Sequence, residues 1–250
     1  MEVLRLVGDS DVVCVNHVSK RYGDQAVLKD IHFSIRKGEI FGLLGPSGAG
    51  KTTLVKQLAG LEVPTDGENV IFQQRMPSLQ IMKRIGYMGQ SDALYGELSA
   101  KENLEFFAAI YGLKRKERLQ RIPEVLKIVN LAGTEKKLVS SFSGGMKRRL
   151  SLAISLLHEP ELLILDEPTV GIDPVLRKSI WQRFDRLKSN GTTIIVTTHV
   201  MDEAEKCDRL GLLRDGKLIA IGTPTELMAD TSSQSIEEAF LVYGGAVHEN

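Results

Sequence analysis

Residues 40–61 read IFGLLGPSGAGKTTLVKQLAGL, and the order of the parts decides the fold. Ile40 to Leu44 is a short apolar run, the mark of a buried strand. It opens into a glycine-rich loop, and TTLVKQLAGL then continues as a helix. Gly45, Gly50, Lys51 and Thr52 fit the G-x-x-x-x-G-K-[ST] spacing, with Pro46, Ser47, Gly48 and Ala49 between them and Thr53 after. In such a strand–loop–helix the backbone N–H groups curl around a β-phosphate and the helix dipole adds positive potential. Lys51 is expected to reach the β and γ phosphates of a nucleotide, and the Thr52 hydroxyl to ligate Mg²⁺.

A second strand end carries the matching acids. LLILDEP, from Leu162 to Pro168, is apolar up to Asp166 and Glu167. Ligands in open α/β sheets sit at the carboxyl ends of strands. Neighbouring strand residues face opposite ways, so the two acids take different tasks. Asp166 is expected to hold the Mg²⁺ shell through water, and Glu167 to orient and polarise a water for phosphoryl transfer.

Around these lie further elements. VVCVNHVSKRY and IHFSIRKGEI read as strands. From about Ser91 to Pro160 the character is helical. LSAKENLEFFAAIYG has a capping box, Ser99 with Glu102, and an apolar face of Leu104, Phe107 and Tyr111. LKRKERLQRI reads as a solvated helix face rather than a nucleic-acid patch. RLSLAISLLHEP is an amphipathic helix stopped by Pro160. Strands return with ELLILDEP and TTIIVTTH. Between them Asp173-Pro174 starts a helix, Leu176, Ile180, Phe184 and Leu187 line its apolar face, and Gly191 ends it. Asp215-Gly216 between apolar runs predicts a hairpin, and GGAVHEN reads as a frayed end.

Composition bounds the function. The 250 residues suffice for one sizeable core, with or without an inserted subdomain. Lys plus Arg and Asp plus Glu are 32 each, so no general charge draws the chain to DNA or anionic lipid. Cys14 and Cys207 stand far apart, which suits a reducing compartment, and the five histidines are scattered, so no metal cluster is expected. MEVLRLVGDSD has no leader-like apolar region, and no run reaches the length of a membrane span. The expectation is a soluble chain whose membrane role, if any, runs through a partner.

One further stretch, SFSGGMKRRL from Ser141 to Leu150, looks like a helix start able to bind an anion, yet no second cradle accompanies it. Cradle, SFSGGMKRRL and LLILDEP in this order resemble the ATPase subunit of ATP-binding cassette (ABC) transporters, from about Asp11 to Thr223. The resemblance implies an α/β fold: a P-loop NTPase core with a mixed sheet, N-terminal antiparallel strands and an inserted helical subdomain. It implies one domain over 1–250, with core segments 11–90 and 160–225, a helical subdomain 91–159 bearing the signature, and a tail 226–250. In the family two subunits pair head to tail, and Ser143, Gly144 and Gly145 would cap the γ-phosphate held by the partner's cradle. Tyr22 resembles the aromatic that stacks on adenine. Gln90 resembles the glutamine that touches Mg²⁺ and the attacking water and links core to helical insert; Ala93, Leu94 and Tyr95 would follow it, exposed. Asp173 resembles the acid of the loop between subunits, and His199 the γ-phosphate-sensing histidine.

The usual signature is Leu-Ser-Gly-Gly-Gln, whereas Phe142 and Met146 stand here at its ends, and Met146 has no amide to donate. With Lys147-Arg148-Arg149, a run whose bland reading is a solvated helix flank, this variant is similar to exporters of drugs, antibiotics and polysaccharides. The implied function is a cytoplasmic ATPase, using ATP and Mg²⁺, that drives a separate integral membrane permease from the inner membrane face. Its partners would be that permease and a second ATPase subunit, identical or different, and no nucleic acid. The alternatives are a soluble ABC ATPase working on nucleic acid or ribosomes, which usually has a long coiled-coil insert or two cassettes, and a P-loop kinase or GTPase outside the family. The SFSGGM segment and the Gln90–His199 order speak against the last.

Overall fold

The structure, a computed structural model, describes residues 11–245. Most of MEVLRLVGDSD and of GGAVHEN, with His248, lies outside the described residues.

Two sheets stack on either side of the cradle helix. One is antiparallel and four-stranded, in the order β2 (Gln25–Arg36), β1 (Asp11–Tyr22), β4 (Asp66–Ile71), β5 (Gln74–Arg75). The other has six strands. Its parallel part runs β9 (Arg209–Arg214), β3 (Ile40–Leu44), β8 (Thr193–Thr198), β7 (Leu162–Asp166), β6 (Ile85–Met88), and β10 (Lys217–Gly222) adds an antiparallel edge beside β9. The expected mixed sheet and N-terminal antiparallel strands are both present.

The middles of the parallel strands are apolar because both faces are covered. Period-two alternation divides them between two cores. Phe41, Leu43, Leu162, Ile164 and Ile195 pack with β1 and β2 and with Leu54, Val55 and Leu58 of α1 (Lys51–Leu58). Ile40, Leu44, Leu163, Leu165, Ile194 and Val196 face the helical side. There stand α3 (Ala100–Ile110), α4 (Arg115–Ile128), α5 (Gly144–Leu156) and α6 (Pro174–Ser189), following the short α2 (Leu79–Met82). The short α7 (Met201–Ala204) follows β8, and α8 (Pro224–Asp230) and α9 (Ile236–Tyr243) close the described chain. No helix among the described residues is long and apolar enough to cross a membrane.

Local chemistry sets the boundaries. The Ser99–Glu102 capping box is formed in both directions at the start of α3. Asp173 caps α6 by accepting from the Leu176 N–H at 3.0 Å, and Gly191 follows the helix with a φ of 93°. Asp215 and Gly216 take positive φ, as a tight hairpin between right-twisted strands requires. The charged helix α4 continues past Pro123 to Ile128, further than its charged segment alone suggested.

Candidate nucleotide site

The cradle hangs between β3 and α1. A Cβ at Gly45 would run into the Leu213 carbonyl oxygen of β9, so only glycine lets the loop pass there. Gly50 starts α1 at a φ of 105°, a backbone region costly for any side chain. It brings no capping side chain, and the first turn of α1 holds no acid. The helix therefore presents its free N–H groups and dipole to the loop. Lys51 is 5% exposed, and its Nζ donates to the carbonyls of Gly45 at 2.6 Å and Pro46 at 3.0 Å. Burial lowers the Lys51 pKa, while Glu167 and Asp166 act in the opposite direction. That coupling brings the cradle lysine and both strand-end acids into one electrostatic neighbourhood.

Asp166 is wholly buried at the end of β7. Its Oδ1 accepts from Thr197 Oγ1 at 2.5 Å, and its Oδ2 has no partner among the described residues. A buried carboxylate oxygen left unpaired is costly unless something else meets it. Glu167 follows with a φ of 52°, the left-handed region, which an L side chain occupies at a cost of about 1 kcal/mol or more. The turn is held from β8, since the Glu167 N–H donates to Thr197 O at 3.2 Å and Thr197 Oγ1 at 3.0 Å. It swings the Glu167 carboxylate to His199, with Oε1 and Nδ1 3.1 Å apart. His199 lies one residue beyond β8. Glu203, 2% exposed, fastens the loops that follow: it accepts from Thr198 Oγ1 at 2.8 Å and from the Thr169 hydroxyl.

Between core and helices runs a cleft of about 810 Å³. Thr52 and Gln90 both line it, with Tyr87, Leu94, Phe107 and Ile110 among its apolar walls. Burial, then the charge of Asp166, pushes the Tyr87 phenol up to about 12. Gln90 is exposed, as are Ala93 and Tyr95. Leu94 departs from expectation: it is half-buried, because its side chain packs against the helical core.

Arg148 is a buried neighbour of the site that sequence reasoning missed. The run Lys147-Arg148-Arg149 is not simply a solvated flank. Arg148 is 7% exposed and donates to the Gly89 and Gln90 carbonyls, each at 2.8 Å, to the Glu167 carbonyl at 2.6 Å and to the Asp166 carbonyl. Arg149 reaches the Asn130 carbonyl at 2.8 Å, just beyond the end of α4. A run of three cations carries no signal of which one turns inward; the i+3 and i+4 spacing of Leu152 from Arg149 and Arg148 gives the only hint.

Of the other predicted residues, Tyr22 stands beside the cradle, near Thr53. Ser143 caps α5, its hydroxyl accepting from the Met146 N–H at 3.3 Å, and Ser143 and Gly144 are exposed. Among the described residues no hydrogen bond or ion pair joins Ser143–Met146 to Gly45–Thr53. Tyr22 is 47% exposed, its hydroxyl bonded to Glu62, and burial followed by that bond raises its pKa.

The sequence profile of the family described as ABC transporter matches residues 28–170. The probable multidrug ABC transporter ATP-binding protein YbhF of Escherichia coli (strain K12) is 40% identical over 237 residues, covering 92% of this chain and 41% of that protein. The chain thus spans about two fifths of that relative's length. The linearmycin resistance ATP-binding protein LnrL of Bacillus subtilis (strain 168) is 45% identical over 238 residues, 90% of this chain and 76% of that one. A Nod factor export ATP-binding protein I of Rhizobium meliloti (strain 1021) is 42% identical, over 94% of this chain and 70% of its own. Among solved structures, an ATP binding subunit of an ABC transporter superposes with a TM-score of 0.86 at 31% identity, covering 93% of this chain and 99% of that one. The dimeric post-hydrolysis state of the ATP-binding cassette MJ0796, bound to ADP and Pi, superposes at 0.78 with 28% identity, covering 84% of this chain and 98% of that chain.

Proposed function

The chain belongs to the ABC transporter ATP-binding family, and from that premise we propose that it hydrolyses ATP as one half of a nucleotide-sandwiching dimer and so powers a separate membrane permease, an exporter. The observation that carries the reading is the strand end, where Glu167 is turned onto His199 while buried Asp166 keeps one oxygen unpaired near Lys51. Relatives named for multidrug transport, linearmycin resistance and Nod factor export support the exporter subgroup. A soluble ATPase acting on nucleic acid or ribosomes is not favoured by any of them.

The residue roles follow from position. Gly45, Pro46, Ser47, Gly48, Ala49, Gly50, Lys51, Thr52 and Thr53 form the phosphate cradle, with Lys51 neutralising the β and γ phosphates. Tyr22 supplies a ring for adenine beside α1. The residues present suit Mg²⁺. Asp166 Oδ2 lacks a partner, and Thr52 and Gln90 line one cleft, so hydroxyl, amide and carboxylate oxygens complement nucleotide phosphates in the all-oxygen set this cation prefers. When bound, the ion neutralises charge developing on the transferred phosphoryl group. Glu167 accepts a proton from the attacking water, whose oxygen bonds to the γ-phosphorus as the bridging bond to ADP breaks. His199 holds that carboxylate and faces the γ-phosphate. Ser143, Gly144 and Gly145 reach the partner's nucleotide, and Asp173 lies at the seam between subunits.

The division into core segments 11–90 and 160–225, helical subdomain 91–159 and tail 226–250 belongs to the same reading. A cytoplasmic helix of the permease would sit in the cleft beside Gln90, which puts this chain on the inner face of the membrane. Glu167→Gln tests the catalytic assignment. It should cut turnover by about 10²-fold or more while ATP binding persists, and it should accumulate an ATP-bound dimer in size-exclusion chromatography. Normal turnover in that variant refutes the role given to Glu167.

A further inference from the structure

Resting on the ATPase reading, we infer that Arg148 is a positioning residue: one guanidinium sets the Glu167 carboxylate and the Gln90 turn of its own subunit in register with the helix whose tip faces the partner's nucleotide.

The geometry is specific. Arg148 lies five positions after the Ser143 cap, so about 7.5 Å of helix separates them. Its Nη1 takes the carbonyls of Gly89 and Gln90, just after β6. Its Nη2 takes those of Asp166 and Glu167, where β7 ends. Asp92 steadies the group at 3.8 Å and is itself held by Ser151 of α5 at 2.7 Å. Glu167 is therefore clamped at both ends of its residue: Thr197 on the N–H and Arg148 on the carbonyl. A left-handed backbone at a non-glycine residue persists only when its surroundings over-determine it, and these two clamps do so. The Arg148 guanidinium bonds to backbone carbonyls and to no cradle residue among the described residues, so its influence on the chemistry passes through Asp166, Glu167 and Gln90.

The shape of the group matters as much as its charge. A planar guanidinium presents its donors in a rigid fork and can serve both loops at once; a lysine ammonium is a point charge on a flexible stem. A shift of α5 at the dimer seam is then transmitted directly to the catalytic turn and to the turn that borders the cleft.

The test compares Arg148→Lys in two backgrounds, with wild-type Glu167 and with Glu167→Gln. In the first, kcat should fall about tenfold or more, with KM for ATP and melting temperature little changed. In the second, where no carboxylate remains to be positioned, the same substitution should change residual turnover by less than about threefold, since residues acting through one another are not additive. Unchanged kcat in the first background overturns the inference. Equal losses in both assign Arg148 a merely structural role and overturn it too. Should Arg148→Lys not fold, Asp92→Asn decides: kcat must fall with KM unmoved, and normal turnover refutes the inference. A wild-type chain that hydrolyses no ATP at all instead removes the functional reading on which it stands.

Discussion

Lys51 and Arg148 are both buried cations near Asp166 and Glu167, yet they work differently. The ammonium of Lys51 folds onto two carbonyls of its own loop and remains free to turn toward an anion. The guanidinium of Arg148 is fixed in four directions and has no such freedom. A half-buried histidine gives the molecule a pH response away from the site. His158 stacks on Tyr111 with ring centroids 3.7 Å apart, and its Nε2 lies 3.1 Å from the Ile85 carbonyl. Burial pulls its pKa down to about 4, with Arg121 adding to the shift and the carbonyl opposing it. The folded chain thus prefers the neutral ring, and the unfolded chain takes up a proton first as pH falls. The stability this group contributes is complete above about pH 6.5 and is lost as pH falls through about 4, with a limiting slope of about 1.4 kcal/mol per pH unit. His158→Phe, which keeps a ring on Tyr111, should flatten the pH dependence of the urea midpoint across that window; an unchanged slope disproves the assignment.

At the scale of elements, α1 and β4 hold an oddity. Gln57 and Asn69 are each 1% exposed, and neither side-chain amide has a partner among the described residues. Amides buried this way cost free energy that apolar groups of similar shape would not. Gln57→Leu with Asn69→Val should raise the unfolding free energy by about 1 kcal/mol or more. A urea midpoint at or below that of the wild type refutes this. Such features also mark how far the sequence could be read. The Ser99 box, the Asp173 cap, the Asp215-Gly216 turn and the cradle were legible because each depends on neighbours within a few positions. The four residues of β6 become a strand only because β7 pairs with them, and the sequence pattern assigned no element to β4, α8 or α9. The inward turn of Arg148 was hidden for the same reason, since its acceptors lie 18 to 59 positions away in the chain. The roles of Ser143 and Asp173 came from the family resemblance, as local chemistry gives each only a helix cap.

At the scale of the whole molecule, the exposed Ser143–Gly144 tip and the separate cradle lead to a complementation test. Lys51→Ala disables a cradle and Ser143→Arg disables a signature. Each alone should lower turnover by about 10²-fold or more. Mixed, they should regain part of it, because a hybrid dimer joins the sound cradle of one chain to the sound signature of the other. Failure to regain any turnover, with both variants folded and able to form dimers, contradicts shared sites. The strand order has a consequence of a different kind. Among the described residues β3, which bears the cradle, is flanked only by β8 and β9. Neither neighbour begins before Thr193, about 150 residues after β3 ends, which at a synthesis rate of about 5–20 residues per second is a delay of roughly 7–30 s. During translation the ribosome therefore releases an unpaired, wholly apolar strand long before its neighbours exist. The phosphate loop is made long before the strands that lock it into place, so slowing elongation between codons 45 and 193 lengthens the time this nascent chain is open to aggregation.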